Sequence, residues 1–427
     1  MIVLVFLGAL LGAMAIGTPI AVALLACGVA LMLQLNMFDT QILAQNIVGG
    51  ADSFPLMAVP FFMLAGELMN SGGLSRRIIN LAVSLVGHVR GGLGYVAIIA
   101  ALIMASISGS AVADTAALAA ILLPMMRQAG YHPPRSAGLL AAGGIIAPII
   151  PPSIPFVVFG VAAGISVSRL FMAGIVPGLL MALSLFIAWT IVARRDNVPP
   201  APRATGRERL KALTEGLWAL ALPVLIIGGM RTGAFTPTEA AVVAAVYAAF
   251  VGGFVYRELK LEHLRPALLA AIKTSSAVMF LVAAAAVSAW LITIADIPGQ
   301  VTALLGPLLD SPTLLMLAMM ALVFVVGMAL DLIPVVLILT PVLMPIVKQA
   351  GIDPVYFGVL FIMNAAIGLL TPPVGTVLNV TAAVGRIKME RVISGVMPFL
   401  IAQICVLMLL IFVPELVTVP ARWLTGR

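Results

Sequence analysis

The chain has 427 residues, of which 63% are hydrophobic and only 9% are charged, and its mean hydropathy is +1.21. Soluble domains carry about 25% charged residues, so the composition excludes a soluble globular protein and predicts an all-α polytopic membrane protein. At about 30 residues for each crossing and its loop, the length allows about ten transmembrane helices. The formal net charge of +7 does not indicate nucleic-acid binding, because the basic residues follow the predicted membrane topology.

In the first half of the chain, apolar segments alternate with short polar breaks. The first segment has no charged n-region and no cleavage-site pattern after it, so we expect a mature first helix. An acidic linker with Asp39 and Asp52 follows the second segment. Residues 75–89 are amphipathic and are predicted to lie along the membrane surface. In chain order, the predicted segments are helices over 2–16, 19–33 and 54–69, the surface helix over 75–89, a hairpin over about 92–126, a broken helix over about 137–163 and a helix over 169–193.

The polar run SISGSAVADTAA, residues 106–117, lies between two apolar pieces of about 10–15 residues each. Each piece is too short for a full crossing, which takes about 20 residues. Non-helical backbone is tolerated in a bilayer only where protein covers it or where it lines a water-filled cavity. The run is therefore predicted to form the tip of a re-entrant hairpin, which offers oxygen atoms to a hard cation or a polar solute.

Prolines interrupt two other apolar segments, at Pro151-Pro152 and at Pro372-Pro373. Proline removes a helix hydrogen bond and clashes with the preceding turn, so each segment is predicted to be a broken helix. Such a break frees backbone carbonyl groups at membrane depth, where they suit sodium. The alternative is a proline kink that only shapes the helix.

After a basic linker over 194–215, the same order of segments recurs. The run LLPMMRQAGYHP, starting at Leu122, matches LMPIVKQAGIDP, which starts 221 residues later at Leu343. The same offset places the first hairpin tip on residues 327–331, and one gap-free offset indicates internal duplication. We therefore expect two repeats, 1–193 and 216–427, and the second contains helices over 216–230, 236–256 and 270–294, a hairpin over about 312–347, a broken helix over about 357–385 and a helix over 392–413.

The orientation of the repeats follows from counting crossings. Five crossings and one hairpin that returns to its own side make the two repeats inverted. With both termini in the periplasm, 18 of the 23 Lys and Arg residues fall on the cytoplasmic side, as the positive-inside rule requires. Inverted repeats, discontinuous helices and polar breaks at the midplane together indicate a secondary transporter.

Four motifs in this order resemble one known family. The tip SISGSAVADTAA, the break IIPPSIP, the hairpin GMALDLIPVVLILTPVLMPI and the break GLLTPPVGTVLNV are similar to the large membrane (M) subunit of tripartite ATP-independent periplasmic (TRAP) transporters, the DctM family. The resemblance covers essentially the whole chain. It implies an elevator-type, sodium-coupled importer of a small organic acid in the bacterial inner membrane. It also implies a periplasmic substrate-binding protein and a small four-helix membrane subunit, which we expect to be a separate chain.

The resemblance implies two kinds of site residue. The coupling ion, Na⁺, is expected near Ser106, Ser108, Gly109, Ser110, Asp114, Gly327, Asp331, Thr371, Pro372, Gly375 and Thr376. The solute is expected near Ser110, Pro151, Pro152, Ser153, Pro373 and Asn379.

Each of these assignments has a structural alternative. The serines of the tip could merely cap the following helix, and a carboxylate such as Asp114 is stabilised near a helix N-terminus. Asp331 could bind an ion, cap a helix or contact the solute. Glu67 and Glu239 lie inside apolar segments and are interpreted as structural residues, and Cys27 and Cys405 as two buried free thiols.

Other function classes fit less well. An intramembrane protease would need a base near Ser110 or an aspartate dyad, but His88, His132 and His263 all fall in loops. A channel would leave two opposed hairpins unexplained, and no GxxxxGK[ST] motif for ATP hydrolysis is present. The serious alternative is a sodium- or proton-coupled dicarboxylate carrier of similar architecture that works without a binding protein.

Overall fold

A computed structural model describes residues 2–196, 203–305, 309 and 311–425. Within these ranges the regular structure is helical throughout, and eight helices are long and apolar enough to cross a membrane. The all-α polytopic fold predicted from composition is therefore confirmed. The α-helices are, in chain order, α1 (Ile2–Ala15), α2 (Ile20–Gln34), α3 (Thr40–Ala51), α4 (Ala58–Ser71), α5 (Leu74–Val86), α6 (Gly92–Ser108), α7 (Ala111–Gln128), α8 (Pro133–Gly144), α9 (Ile154–Ala163), α10 (Val167–Arg195), α11 (Gly206–Arg231), α12 (Pro237–Phe250), α13 (Leu261–Ile294), α14 (Ile297–Leu305), α15 (Pro312–Ala329), α16 (Leu332–Gln349), α17 (Pro354–Gly368), α18 (Thr376–Gly385), α19 (Met389–Phe412) and α20 (Glu415–Thr425).

Polar side chains mark where many of these helices begin. The Ser153 hydroxyl accepts a hydrogen bond from the Phe156 N–H at 3.2 Å, and the Asp39 carboxylate accepts one from the Gln41 N–H at 2.7 Å. Thr205 and Thr236 each form a capping box with the glutamate three residues later. These caps satisfy N–H groups that have no partner inside the helix.

One packing group, the frame, contains α2, α3, α4, α5, α11, α12 and α13, with α4 against α12 and with α2, α3 and α4 against the long α13. Small residues permit the close approach: a Cβ on Gly28 would lie 2.7 Å from Val287 Cγ1. The buried Ser288 hydroxyl donates a hydrogen bond of 2.8 Å to the Leu24 carbonyl. Small residues and interhelical hydrogen bonds are the usual means of helix association in a membrane.

The second packing group, the hairpin core, contains α6–α10 and α15–α19, with α8 against α19, α7 against α18 and α15 against α17. A Cβ on Gly368 would lie 2.6 Å from the backbone of Gly327, so only glycine permits that contact. The Asn364 amide donates to the Met320 carbonyl at 2.5 Å. The two groups meet where α5 packs on α6, α13 on α16 and α4 on α6 and α9.

The helix boundaries repeat with the spacing found in the sequence. Helix α16 begins at Leu332, 221 residues after α7 begins at Ala111, and α17 begins at Pro354, 221 residues after α8 begins at Pro133. The first hairpin is thus α6–α7 and the second is α15–α16, and each is followed by a broken helix, α8–α9 or α17–α18. The division of the chain into two inverted repeats remains a prediction.

Four local expectations are wrong. The acidic linker after the second segment is helix α3, because Asp39 is its N-cap. The basic linker is shorter than expected, since α10 extends to Arg195 and α11 begins at Gly206 after the Thr205 cap. Residues 197–202 of that linker lie outside the described residues.

The other two corrections concern the hairpins and a cysteine. The hairpin helices have 17 or 18 residues each, longer than their uninterrupted apolar stretches suggested, and both α15 and α16 are long and apolar enough to cross a membrane. The re-entrant path of the two hairpins remains a prediction. In the first hairpin, part of the polar run is helical, because Ser106 and Ser108 lie within α6. Cys27 is buried, but Cys405 is exposed on the outer face of α19, so only one of the two free thiols is buried.

Candidate functional site

A cleft of about 410 Å³ lies between the frame and the hairpin core. Helix α4 and the middle of α13 form its frame side, and both hairpin tips and the break between α8 and α9 form the opposite side. Ligand sites in bundles commonly lie between helices and combine apolar walls with a few polar groups. Residues of both hairpin tips thus line one cleft.

The first tip is a tight turn at Gly109 and Ser110. Gly109 has a φ of 61°, in the left-handed region that favours glycine. A Cβ at this position would lie 2.5 Å from the Pro152 carbonyl oxygen, so the tip rests directly on the first proline break. The Ser110 hydroxyl accepts a bond of 3.4 Å from the Ala113 N–H, which makes it the N-cap of α7. Ser110 therefore caps α7, whereas ion binding by the same oxygen remains a prediction.

Asp114 is buried beneath this tip, with 1% of its surface exposed. The Ser108 hydroxyl donates a short hydrogen bond to Asp114 Oδ1 and accepts one of 3.2 Å from the Ser110 N–H. Among the described residues, Asp114 Oδ2 has no hydrogen-bond partner. A buried carboxylate oxygen without a partner is costly, so this atom is a candidate ligand for a cation or a proton. Ser106 does not line the cleft, and its hydroxyl donates to the Ile103 carbonyl of the same helix at 2.6 Å.

The second tip contributes Asp331, which lines the same cleft as Ser110. Its carboxylate accepts a hydrogen bond of 2.9 Å from the Leu332 N–H and so caps α16. The side chain is exposed to the cleft, whereas Asp114 is enclosed by protein. The two aspartates therefore occupy different environments, and only Asp331 is placed to contact a solute.

Three helix N-termini line the cleft: those of α7, α9 and α16. Their first residues carry N–H groups that lack partners within the helix, and each helix dipole places partial positive charge at this end. The arrangement can hold an anionic group without a basic side chain. Among the described residues that line the cleft, none is lysine or arginine.

The two proline breaks differ in exposure. Pro151, Pro152 and Ser153 are buried, and the Ser153 hydroxyl donates a hydrogen bond to the Pro148 carbonyl across the break. The cleft reaches this break through Pro148, Ile154 and Pro155 rather than through Pro151 or Pro152. These three expected solute residues therefore lie behind the cleft wall.

The predicted site residues of the second break do not line this cleft. Pro373 and Asn379 are exposed, and the Asn379 amide donates to the Val374 carbonyl at 2.8 Å, which joins α18 to the end of the break. Gly375 has a φ of 50°, and the Thr376 hydroxyl that follows is buried without a hydrogen-bond partner among the described residues.

Three other predicted residues also do not line the cleft. The Thr371 hydroxyl donates to the Ile367 carbonyl of α17 at 3.0 Å, Pro372 follows Thr371, and Gly327 packs on Gly368. Among the described residues, the second break reaches the cleft that contains the two tips through Leu369, at the end of α17, and not through the predicted site residues.

Sequence reasoning missed three polar residues of the frame that line the cleft: Glu67 and Asn70 on α4, and Thr274 on α13. Glu67 was interpreted as structural, but it faces the tip residues Ser110 and Asp331 across the same space. A carboxylate in an apolar segment is a signal that could have identified it. Glu239 does have a structural role, because it completes the capping box of α12.

Comparisons with known proteins show which family the chain resembles. The family model of the tripartite ATP-independent periplasmic transporter, DctM component, matches residues 7–416. The chain is 58% identical over 424 residues to the 2,3-diketo-L-gulonate TRAP transporter large permease protein YiaN of Escherichia coli (strain K12), covering 99% of this chain and 100% of that protein. It is 39% identical over 405 residues to the sialic acid TRAP transporter large permease protein SiaM of Vibrio cholerae, covering 95% of each.

A solved structure supports the fold independently. The YdaH transporter of Alcanivorax borkumensis superposes with a TM-score of 0.63 over 87% of this chain and 86% of that one, at 16% identity. This similarity concerns the fold alone. The resemblance drawn from the four motifs is confirmed by the family match and by the two relatives, and we conclude that the chain belongs to the DctM family, the large permease proteins of TRAP transporters.

Proposed function

We propose that this chain is the large permease of a sodium-coupled importer that takes a small organic acid from a periplasmic substrate-binding protein. Membership of the DctM family supports a secondary transporter of organic acids. The observation that carries the proposal is the cleft in which three helix N-termini meet between the frame and the hairpin core.

The acid group of the solute would bind at these N-termini. The N–H groups of Ala111, Val112 and Ile333 lie in the first turns of α7 and α16, where helices offer donors to anions. Carboxylate binding by backbone N–H groups explains why an importer of acids needs no lysine or arginine in the described lining of the cleft.

The rest of the solute would contact the polar side chains of the frame. Glu67 accepts hydrogen bonds, and Asn70 and Thr274 both donate and accept them. Such groups suit a solute with several hydroxyl groups, and the relative from E. coli is named for 2,3-diketo-L-gulonate, a sugar acid. We therefore place the solute among the sugar acids.

Sodium would bind behind the solute at two places. The first is the Ser108, Ser110 and Asp114 cluster, where Asp114 Oδ2 lacks a partner. The second is the break at Gly375 and Thr376, where the buried Thr376 hydroxyl lacks one. Sodium, a hard cation, is bound by carboxylate, hydroxyl and carbonyl oxygens, so both places offer the required donor atoms.

Transport would proceed by an elevator motion in which the hairpin core slides against the frame. The small four-helix subunit would lie beside the frame, and the complex would lie in the bacterial inner membrane with both termini in the periplasm. The family membership favours this scheme over a dicarboxylate carrier that works without a binding protein.

The test is binding of radioactive sodium to the purified protein, with competition by unlabelled sodium or potassium. Ser110→Ala and Thr376→Ala are each expected to weaken binding about tenfold or more, because each removes an oxygen at a different site. Absence of saturable, potassium-insensitive binding would overturn sodium coupling and turn attention to a proton at Asp114 or Asp331.

The chain supplies a matched control for each variant. Ser166 caps α10 with the same 3.4 Å bond that Ser110 makes to α7, but it lies outside the cleft. Thr340 has a buried hydroxyl without a partner among the described residues, as Thr376 does, but it lies inside α16. Ser166→Ala and Thr340→Ala should leave sodium binding unchanged, and weakening in them would show that the effect comes from lost stability.

A further inference from the structure

A second cleft, of about 900 Å³, is lined entirely by residues of the hairpin core, and six of these residues are basic. It forms where the turn between α7 and α8 meets the turn between α18 and α19. No acidic residue of the described chain lines it. The basic lining residues are Arg127, His132, Arg135, Arg386, Lys388 and Arg391.

Three of these charges are available to a ligand. Within the described ranges, Arg386, Lys388 and Arg391 form no ion pair, and all three are exposed. Arg135 pairs with Asp196 at the end of α10, and Arg127 donates to the Gly385 carbonyl at 2.9 Å. The exposed Glu390 is the acidic neighbour on α19, and it does not line the cleft.

The basic residues of the cleft also affect the pKa of His132. Its pKa is lowered by partial burial and by the neighbouring charges of Arg135 and Arg391. The basic lining of the cleft therefore favours a negatively charged ligand.

The floor of the cleft is apolar and continues along α19. Met397, Pro398 and Ile401 line it, and Met397 and Ile401 are 43% and 55% exposed. The exposed face continues at Cys405 and Leu409 with a regular spacing of four residues. From Met397 to Leu409 this face extends for about 18 Å at 1.5 Å per residue, slightly more than half of a hydrocarbon core of about 30 Å.

The depth of the cleft in the membrane follows from the helices around it. Helix α10 ends at Arg195 and α19 begins at Met389, and both are candidate membrane spans. The basic residues thus lie at the level where membrane helices end, and the apolar face lies where acyl chains would be. Basic pockets between helix ends at this level bind phospholipid headgroups.

We propose that this cleft is a binding site for an anionic phospholipid, with the headgroup phosphate at Arg386, Lys388 and Arg391 and an acyl chain along α19. The charges alone would suit any small anion. The continuous apolar face selects an occupant that has both a charge and a hydrocarbon chain.

Native mass spectrometry of the full chain in neutral detergent tests the site. Phosphatidylglycerol is expected to bind more tightly than phosphatidylcholine with the same chains. In the Lys388→Gln/Arg391→Gln variant, its binding should weaken on the order of 25-fold, because each basic residue near a lipid surface contributes about 1 kcal/mol. Both side chains are exposed, so the variant should fold normally, as its unfolding temperature will show.

The control is Arg265→Gln/Lys273→Gln, which removes the same charge from exposed positions on α13. Binding in this variant should change less than about twofold, and an equal loss would overturn the site. Glycerol phosphate, which has the charge without the chains, should not displace the lipid at equal concentration. Displacement would overturn the proposal in favour of a site for soluble anions. Equal binding of phosphatidylcholine would show that the headgroup charge does not contribute to binding, which would also contradict the proposal.

Discussion

At the scale of single residues, capping and ligand binding use the same atoms. Ser110 and Asp331 each cap the second helix of their hairpin, and each lies in the cleft. Asp114 differs, because its one hydrogen bond comes from Ser108 and its other oxygen has no partner within the described chain. Asp114 therefore combines burial with a carboxylate oxygen that makes no hydrogen bond, and this combination makes it the strongest candidate ion ligand of the first tip.

Gly109→Ala tests how closely the first tip rests on the proline break. The added methyl group would lie 2.5 Å from the Pro152 carbonyl oxygen, in addition to a cost of about 1–2 kcal/mol for the left-handed backbone. We expect a lower unfolding temperature in detergent and weaker sodium binding.

Gly130→Ala is the matched control for this variant. Gly130 also has a positive φ, of 80°, but its Cβ would meet open space. It should show only the backbone cost, and equal losses in the two variants would contradict the tip contact.

At the scale of elements, one long helix of the second half corresponds to an interrupted segment in the first half. Helix α13 runs for 34 residues, while the corresponding residues of the first half form α3, a turn over Phe54–Met57 and α4. Asp39 starts α3, and the Pro55 turn separates it from α4. The Asp39 N-cap could have been recognised in the sequence, because aspartate before a run with helical spacing is a common N-cap.

Glu258 joins α5 to the segment before α13. Arg76 and Arg77 bind its carboxylate at 2.8 and 2.9 Å, and Arg77 lies 3.7 Å from the Tyr256 ring centroid. Partial burial raises the pKa of Glu258, but the two arginines outweigh it and lower the pKa below the ordinary 4.5. A lowered pKa means that the stabilisation is present above the unfolded-state pKa and is lost as the pH falls through the folded-state pKa.

Glu258→Gln should therefore cost about 1 kcal/mol of unfolding free energy near neutral pH, and the difference from the wild type should shrink as the pH falls below 4.5 and vanish once the pH is below the folded-state pKa. Thermal unfolding of both proteins across this range provides the measurement. Glu262→Gln, at a glutamate 67% exposed and 3.7 Å from Lys260, should have no such effect. A pH-independent difference would show that the ion pairs are not its cause.

At the scale of the whole molecule, the cleft lies on the boundary between two packing groups. Helix α4 of the frame contacts α6 of the hairpin core where a Cβ on Gly66 would lie 3.3 Å from Ser108 Cβ. This separation is close to the 3.5–4.5 Å that a disulfide requires, about 3.8 Å on average. If the hairpin core slides during transport, a bond at this point should stop it.

Gly66→Cys/Ser108→Cys in a reconstituted complex provides the test. Oxidation is expected to abolish solute uptake, and a reductant should restore it to the level of the Ser108→Cys variant alone. That single variant controls for loss of the Ser108 hydroxyl, and it should not respond to oxidation. Full uptake by the cross-linked protein would contradict an elevator motion across this boundary.

Composition and motif order were sufficient to predict the polytopic helical class, the 221-residue spacing and the family. These properties are local or periodic, so a single chain displays them directly. Tertiary structure decided which polar groups share a space. Glu67, Asn70 and Thr274 reach the cleft because α4 and α13 pack across from the tips, while Pro151, Pro152, Thr376 and Asn379 do not line it. Long-range packing sets these distances, and no spacing along the sequence encodes them.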